Sequence, residues 1–242
     1  MIDIHCHILP GLDDGAFSPD ESLLMAQFAA ENGTTAIFCT PHSGPYPADR
    51  VTTAFALLKE ALDQRKIPLK LFLGQEIYLT QNYEQQIEDV QKGLQFTLNQ
   101  TPYLLVEFHP LAPGRLLCDA VASLRAIGLK PIVAHPERYA CVAEDFFLAH
   151  QLKEAGALLQ LNKGSLRGAF GRDALQSASF LLEERMADFV ASDAHSPYER
   201  TPKLRHAHAY ISEQYSIDYA DHLLLYNPAR VASNKPIYSY NQ

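Results

Sequence analysis

Apolar residues are gathered along this chain into seven short runs that few polar positions interrupt. A strand covered on both faces is apolar throughout, whereas a half-exposed strand alternates apolar and polar residues. The length of the runs, four to seven residues, is typical of strands. We therefore predict seven largely buried strands: IDIH (2–5), TTAIFCT (34–40), LKLFLG (69–74), YLLVEF (103–108), KPIVAH (130–135), ALLQLN (157–162) and DFVASD (188–193).

Between these runs, apolar residues recur at the three- and four-residue spacing of helices. The first such segment begins with a serine cap and acidic residues and stops at a glycine. Strands that alternate with helices are typical of a parallel sheet. The pattern predicts an α/β fold, with residues 1–242 forming a single domain closed or nearly closed into a barrel. The predicted helices are 18–33, 48–66, 115–128, 144–156 and 172–185.

Composition and charge narrow the class of protein. A net charge of −8 with dispersed lysine and arginine argues against a nucleic-acid partner. No apolar stretch is long enough for a membrane span, and the N-terminus lacks the pattern of a signal peptide. We therefore expect a cytoplasmic protein that does not insert into a membrane. The four cysteines form no CxxC pair, which is typical of free thiols in a reducing compartment: Cys6, Cys39, Cys118 and Cys141.

Histidines and carboxylates recur where the predicted strands end. The first strand runs into His5 and His7, which share one side of the strand because Cys6 lies between them. The carboxyl ends of parallel strands meet at one face of the fold, where barrels of this kind carry their active sites. Five histidines and three carboxylates should converge there, with Asp14 of the first loop as a further candidate: His5, His7, His42, His135, His195, Glu76, Glu107 and Asp193.

This mixture of imidazole and carboxylate ligands suits Zn²⁺, Fe or Mn²⁺. Eight or nine ligands are too many for one tetrahedral ion, so two or three divalent ions with a bridging carboxylate are more natural. Each residue also has an ordinary structural interpretation. A lone H-x-H pair is more often a buried, hydrogen-bonded pair, Arg138 could form a structural salt bridge, and Asp14 could belong to the turn LDDG. Placement at six of the seven strand ends favours the metal site.

The same stretches resemble a known family. They are MIDIHCHILPGLDDGA, TPH, GQEIY, LLVEF, KPIVAHPERY, GSLRGAFG and VASDAH, and they span residue 1 to about residue 200. The sequence resembles the polymerase-and-histidinol-phosphatase (PHP) family of metal-dependent phosphoesterases and, within it, the bacterial capsule-type tyrosine-protein phosphatases of the CpsB/YwqE-like group. The resemblance implies a distorted (β/α)7 barrel of the PHP type with a site for three divalent ions, of Mn, Fe, Zn or Mg.

The resemblance also implies a role for each site residue. Arg138 and Arg200 match the family's catalytic, phosphate-binding arginines. Three ions would be shared among the candidate ligands as follows: the first bound by His5, His7, Glu76 and Asp193, the second by Glu76, Glu107 and His135, and the third by His42 and His195 with Asp14 as a further candidate.

The activity implied by the resemblance is hydrolysis of phosphotyrosine in a protein, and the implied partner is a bacterial tyrosine kinase that controls capsule or exopolysaccharide synthesis. A small-molecule phosphatase, such as one acting on histidinol phosphate, is the alternative. A PHP-type nuclease and a barrel that only binds its ligand are further candidates. A thiol phosphatase is excluded, because its C-x5-R loop needs an arginine six residues after a cysteine and those positions hold Leu12, Pro45, Leu124 and Phe147.

Two groups of aromatic residues stay open to interpretation. Tyr46, Tyr198 and Phe170 follow strand ends and could form walls for a phenyl ring, or could be ordinary loop packing. Tyr238 and Tyr240 are interpreted as part of a loose C-terminal tail, with a regulatory role as the alternative.

Overall fold

Strands and helices alternate along the chain in the computed structural model, which describes residues 1–240. The strands are β1 (Ile2–Cys6), β2 (Ala36–Cys39), β3 (Lys70–Leu73), β4 (Glu76–Leu79), β5 (Tyr103–Phe108), β6 (Lys130–Ala134), β7 (Leu158–Asn162) and β8 (Phe189–Ala191). The helices are α1 (Pro19–Glu31), α2 (Ala48–Arg65), α3 (Tyr83–Gln91), α4 (Gly114–Ala126), α5 (Ala140–Glu144), α6 (Phe147–Glu154), α7 (Arg172–Glu183), α8 (Arg205–Gln214), α9 (Ile217–Asp221) and α10 (Asn227–Ala232). A π-helical turn, His222–Tyr226, joins α9 to α10.

All strand pairs are parallel and fall into two sheets, ordered β1-β2-β3 and β4-β5-β6-β7-β8. Isolated backbone hydrogen bonds join the two sheets at both seams. At one seam the amide of His7 donates to the carbonyl of Ala194 at 2.9 Å, and at the other the amide of Ser43 donates to the carbonyl of Glu76 at 2.8 Å. The strands therefore follow one another around a distorted barrel, as the α/β pattern predicted.

The structure has eight strands where the sequence pattern predicted seven. The predicted third strand continues, after Gly74 and Gln75, into β4, a segment that the pattern left as loop. A Cβ atom at Gly74 would lie 2.6 Å from the Leu98 side chain, and the Gln75 side chain accepts a hydrogen bond of 2.9 Å from the amide of Phe96. The chain therefore changes sheets at this break, and Glu76 begins a strand.

Side chains on the inner side of the barrel change from apolar to polar along each strand. On β5, Tyr103 and Leu105 belong to the interior apolar cluster, and Glu107 follows them at the same alternation. On β7, Leu158 packs against that cluster, and Gln160 and Asn162 continue the same row. The amino end of the barrel is thus filled with apolar side chains, and its carboxyl end is lined with polar ones.

Helices cover the outside of the barrel. The five helices predicted from the sequence are confirmed with shifted ends, and the Ser18 side chain caps α1 by accepting a hydrogen bond of 3.3 Å from the amide of Glu21. The predicted helix over 144–156 is divided into the end of α5 and α6, because the Asp145 carboxylate accepts a hydrogen bond of 2.9 Å from the amide of Phe147. Five α-helices were not predicted: α3, α5, α8, α9 and α10.

The C-terminal segment packs beneath the amino end of the barrel and is not a loose tail as far as Tyr240. The Tyr103 hydroxyl donates a hydrogen bond of 2.7 Å to the carbonyl of Lys235, and the Tyr240 ring lies 4.7 Å from the Tyr219 ring. The prediction of a single domain over 1–242 also includes residues 241–242, which lie outside the described residues. In residues 1–240, none of the helices is both long and apolar enough to span a membrane.

Candidate metal centre

A buried carboxylate, Glu76 at the start of β4, faces four imidazoles at the carboxyl end of the barrel. Its Oε2 atom lies 3.1 Å from His5 Nε2, 3.3 Å from His7 Nε2 and 3.1 Å from His42 Nδ1. Its Oε1 atom lies 3.1 Å from His135 Nε2. Glu76 therefore contacts histidines from three separate strand ends.

Asp193 and Glu107 flank Glu76 on opposite sides. Asp193 Oδ1 lies 3.5 Å from Nε2 of His5 and 3.5 Å from Nε2 of His7. Glu107 Oε1 lies 2.8 Å from His42 Nδ1, and Glu107 Oε2 lies 3.8 Å from Nε2 of His135. The site therefore has an Asp193 side and a Glu107 side, with Glu76 between them.

Asp14 and His195 complete the cluster at its solvent edge. Asp14 Oδ1 lies 3.3 Å from His195 Nε2 and 3.5 Å from His42 Nε2. Asp14, for which the sequence left ordinary turn chemistry open, thus faces the site. The structure brings all nine predicted ligands together.

The donor set fits divalent cations. His5 Nε2 and His7 Nε2 are 3.0 Å apart. Glu76 Oε2 is buried and forms no hydrogen bond, although three imidazole nitrogens lie within 3.3 Å of it. Nitrogen and oxygen atoms gathered in this way are the ligands that transition-metal ions prefer. Three groups of side chains offer ligand atoms within 4.8 Å of one another: His5 with His7 and Asp193; His42 with Glu76 and Glu107; and His7 with Asp14, His42 and His195.

Two site residues, His135 and Asp193, have an unusual backbone conformation. Their φ angles are +36° and +48°, in the left-handed region that residues other than glycine seldom adopt. Such strain persists only where the surroundings enforce it, and it is concentrated at functional sites. His135 directly follows β6, and Asp193 follows β8 after Ser192, so both strained residues lie at the carboxyl ends of strands.

Hydrogen bonds behind the histidines orient the imidazole rings. His5 Nδ1 lies 2.7 Å from Gln160 Oε1, and His7 Nδ1 lies 2.7 Å from Asp13 Oδ2. When Nδ1 donates its proton to these oxygens, the Nε2 lone pair points into the site, which is the arrangement of metal-binding histidines. Sequence reasoning missed both supporting residues, although Asp13 adjoins Asp14 and Gln160 interrupts an apolar run.

Both predicted arginines reach the edge of this cluster. Arg138 Nη1 lies 3.3 Å from Asp193 Oδ2, and Arg200 Nη2 lies 2.5 Å from the same oxygen. Asn162 Nδ2 donates a third hydrogen bond of 2.5 Å to that atom. Each arginine side chain is about one-third exposed, so both are accessible to a ligand at the barrel mouth.

Lys163 fastens the loop that carries Arg200. Its ammonium group donates to the backbone carbonyls of Thr201 and Lys203, the latter at 3.0 Å. Burial lowers the pKa of Lys163 to about 8. The position of Arg200 is therefore fixed by backbone contacts in addition to its ion pair with Asp193.

The charges of the cluster shift the pKa values of its members in the ion-free protein. Burial disfavours the charged form of His7, but the Asp13 and Glu76 carboxylates outweigh it and raise the pKa of His7 to about 9. Burial is likewise outweighed at His42, where the Glu107 and Glu76 carboxylates raise the pKa to about 11. For Asp193, burial is outweighed by His5, His135 and Arg200, which hold its pKa below the usual range.

We expect ion binding at this site to release protons. A histidine binds a metal only as the neutral imidazole, and His7 and His42 are protonated below pH 9 in the ion-free protein. Binding at pH 7 should release about two protons, and affinity should rise between about pH 6 and pH 9. Calorimetric titration with Mn²⁺ in buffers of different ionisation enthalpy measures this number. An affinity that does not change with pH would contradict the assignment of these two ligands.

Comparison with known proteins decides the family. The model of the CpsB/CapC family of capsular polysaccharide synthesis proteins matches residues 1–233. The chain belongs to the CpsB/CapC family. Tyrosine-protein phosphatase YwqE of Bacillus subtilis is 36% identical to it over 98% of this chain and 94% of the relative. Tyrosine-protein phosphatase CpsB of Streptococcus agalactiae is 28% identical over 97% of this chain and 99% of the relative.

Solved structures agree with this assignment of the CpsB/CapC chain. A chain from the crystal structures of YwqE from Bacillus subtilis and CpsB from Streptococcus pneumoniae, described as metal-dependent tyrosine phosphatases, superimposes with a TM-score of 0.90 at 35% identity. The superposition covers 98% of this chain and 96% of the solved chain. An amidohydrolase from Mycoplasma synoviae superimposes with a TM-score of 0.67 at 13% identity over 96% and 87% of the two chains, which shows a shared fold alone.

Proposed function

We propose that this protein hydrolyses phosphotyrosine in proteins with the help of two or three divalent ions, of Mn, Fe, Zn or Mg. The observation that carries the proposal is the convergence of nine ligand side chains around the buried Glu76, directly beside two arginine guanidiniums. Relatives along the full length of the chain are named tyrosine-protein phosphatases, which supports the same activity.

The nine side chains would bind the ions in three sets, two of which have Glu76 in common. The proposed sets are His5, His7, Glu76 and Asp193 on one side, Glu76, Glu107 and His135 on the other, and Asp14, His42 and His195 at the solvent edge. When bound, such ions supply a Lewis acid and lower the pKa of water towards neutrality. His42 contacts both Glu76 and Glu107, so we infer that it contributes to two of these sets.

The two arginines would bind the phosphate. A guanidinium presents paired donors that match phosphate oxygens, and both guanidiniums here lie at the same edge of the ligand cluster. Their attraction for a dianion would grow in the transition state, where charge gathers on the phosphoryl oxygens. Asp193 holds both groups until a phosphate replaces it as their partner.

The leaving group favours phosphotyrosine. A phenol has a pKa of about 10, so its anion departs more readily than the alkoxide of serine and needs no strong acid. The histidines that could protonate a leaving group are the proposed metal ligands, which leaves them poorly suited to that task. A cavity of about 340 Å³, lined in part by Leu111, Arg138, Tyr139 and Phe170, offers room for a substrate side chain beside Arg138.

The proposed partner is a bacterial tyrosine kinase that takes part in capsule or exopolysaccharide synthesis, because the matching family model describes capsular polysaccharide synthesis. The kinase's phosphorylated tail is the proposed segment that enters the barrel mouth. A single PHP-type domain over residues 1–242 and a location in the cytoplasm, predicted from the sequence, are part of the same proposal.

A kinetic panel tests the substrate. With equal metal loading, we expect kcat/KM for a phosphotyrosine peptide to exceed that for the matched phosphoserine peptide and for histidinol phosphate by about a hundredfold, since phenolate leaves more easily and a long rigid arm reaches recessed ions. Histidinol phosphate as the best substrate would overturn the proposal in favour of a small-molecule phosphatase and would leave the metal site intact.

A further inference from the structure

One aromatic ring touches both arginines of the site. The Cζ atom of Arg138 lies 4.4 Å from the centroid of the Phe170 ring, and that of Arg200 lies 5.8 Å from the same centroid. Arg138 follows β6, Phe170 belongs to the loop between β7 and α7, and Arg200 follows β8. Three separate loops therefore meet at one half-buried phenylalanine.

Ion pairing with Asp193 alone would hold the two guanidiniums poorly. Both guanidiniums contact one oxygen of Asp193, and they repel each other. A phosphate that binds them would compete with Asp193, so their contact with this carboxylate weakens when the substrate arrives. The face of an aromatic ring attracts cations without competing for the anion that they bind. Phe170 can therefore support both groups in the free and in the occupied site.

A neighbouring glycine leaves room for the ring. Gly164 has φ −65° and ψ −35°, a conformation that any residue can adopt. A glycine is therefore favoured here because a side chain lacks room, and not because of its backbone freedom. A Cβ atom at Gly164 would lie only 2.8 Å from Cε2 of Phe170. The three atoms nearest to such a methyl group belong to Phe170 and Ala169, so the Phe170 ring is what it would displace.

We propose that Phe170 is a positioning residue: it holds the guanidiniums of Arg138 and Arg200 at the relative position that binds a phosphate dianion. The turnover part of this inference rests on the proposed function. Its binding part rests only on the attraction of two guanidiniums for a phosphate anion, which inorganic phosphate tests whatever the natural substrate is.

The test compares Phe170→Leu, Phe170→Tyr and Gly164→Ala in the metal-loaded protein. We expect Phe170→Leu to weaken the binding of inorganic phosphate about tenfold and to lower kcat/KM about thirtyfold, because both cation–π contacts are lost. Phe170→Tyr keeps the ring and should stay within about threefold of the original protein. Gly164→Ala should reproduce part of the Phe170→Leu loss. The affinity for Mn²⁺ should not change in any of the three.

A double-mutant comparison separates positioning from general damage. If Phe170 acts through Arg138 and Arg200, the thirtyfold loss should shrink to about threefold in an Arg138→Ala background, where only one guanidinium is left to position. The matched control is Phe147→Leu, which removes an aromatic ring from the exposed side of α6 and should leave phosphate binding unchanged.

Three results would overturn the inference: unchanged phosphate affinity in Phe170→Leu, an equal loss with and without Arg138, or a parallel loss of Mn²⁺. Failure of the proposed function would give a different result from failure of this inference. In that case the original protein would not hydrolyse phosphotyrosine peptides, while the phosphate affinities of the variants, measured by calorimetry, would still decide the role of Phe170.

Discussion

Complete removal of divalent ions should lower kcat/KM for a phosphotyrosine peptide by about a thousandfold or more, and added Mn²⁺ should restore it. The loss is this large because bound ions contribute several kcal/mol of charge stabilisation, and about 1.4 kcal/mol corresponds to a factor of ten. Without ions, four imidazoles surround Glu76 and two arginines contact Asp193, and the buried Oε2 atom of Glu76 has no hydrogen-bond partner.

Thiol alkylation is the control for this experiment. Cys6 and Cys39 are buried, Cys118 and Cys141 are half-buried, and burial raises the pKa of all four thiols, which makes them poor nucleophiles. Iodoacetamide should therefore leave kcat/KM unchanged under conditions in which a chelator abolishes it. Inactivation by iodoacetamide at full metal occupancy would indicate a cysteine-based mechanism and contradict the metal account.

The second large effect is expected from Arg138→Ala. Its guanidinium contacts Asp193 from outside the ligand cluster, so the variant should keep its ions and its fold. Loss of one group that stabilises the transition-state charge typically costs about a hundredfold to a thousandfold in turnover. When both are measured on the same samples of Arg138→Ala, metal content should stay constant while kcat/KM falls by that factor.

Two companion variants define the meaning of the Arg138 result. His135→Ala removes a proposed ligand that faces Glu76 and should lose bound metal together with activity. Arg167→Ala removes an exposed arginine from the loop between β7 and α7 and should change neither. If Arg138→Ala retained full kcat/KM, Arg138 would have no part in the reaction, and if it lost its metal, its role would be structural.

The position of the site could be predicted from the sequence because two regularities coincide. Buried parallel strands appear as unbroken apolar runs, and their carboxyl ends must share one face. Reactive residues that follow separate runs, such as His42, His135 and Asp193, are therefore neighbours in space although up to about 150 residues separate them along the chain. The four longest helices, α1, α2, α4 and α7, were predictable for a similar reason, since apolar residues recur along them at helical spacing.

What the sequence left undetermined depends on contacts between loops. The segment 76–79 follows the predicted third strand after only two residues, so the pattern does not separate it as a strand, and it forms one by pairing with β5. Asp13 and Gln160 acquire their roles from imidazoles that lie next to them only after folding. The contact of Phe170 with two arginines likewise involves three loops, whose conformations no local pattern dictates.

Phosphotyrosine hydrolysis should depend on the ions that this cluster holds. The decisive measurement is bound metal per chain, determined by elemental analysis on the same samples whose kcat/KM is measured during a Mn²⁺ titration of demetallated protein. We predict that kcat/KM for the phosphotyrosine peptide rises with bound metal and levels off at about two or three ions per chain. Full kcat/KM in samples that contain less than about one-tenth of an ion per chain would contradict it.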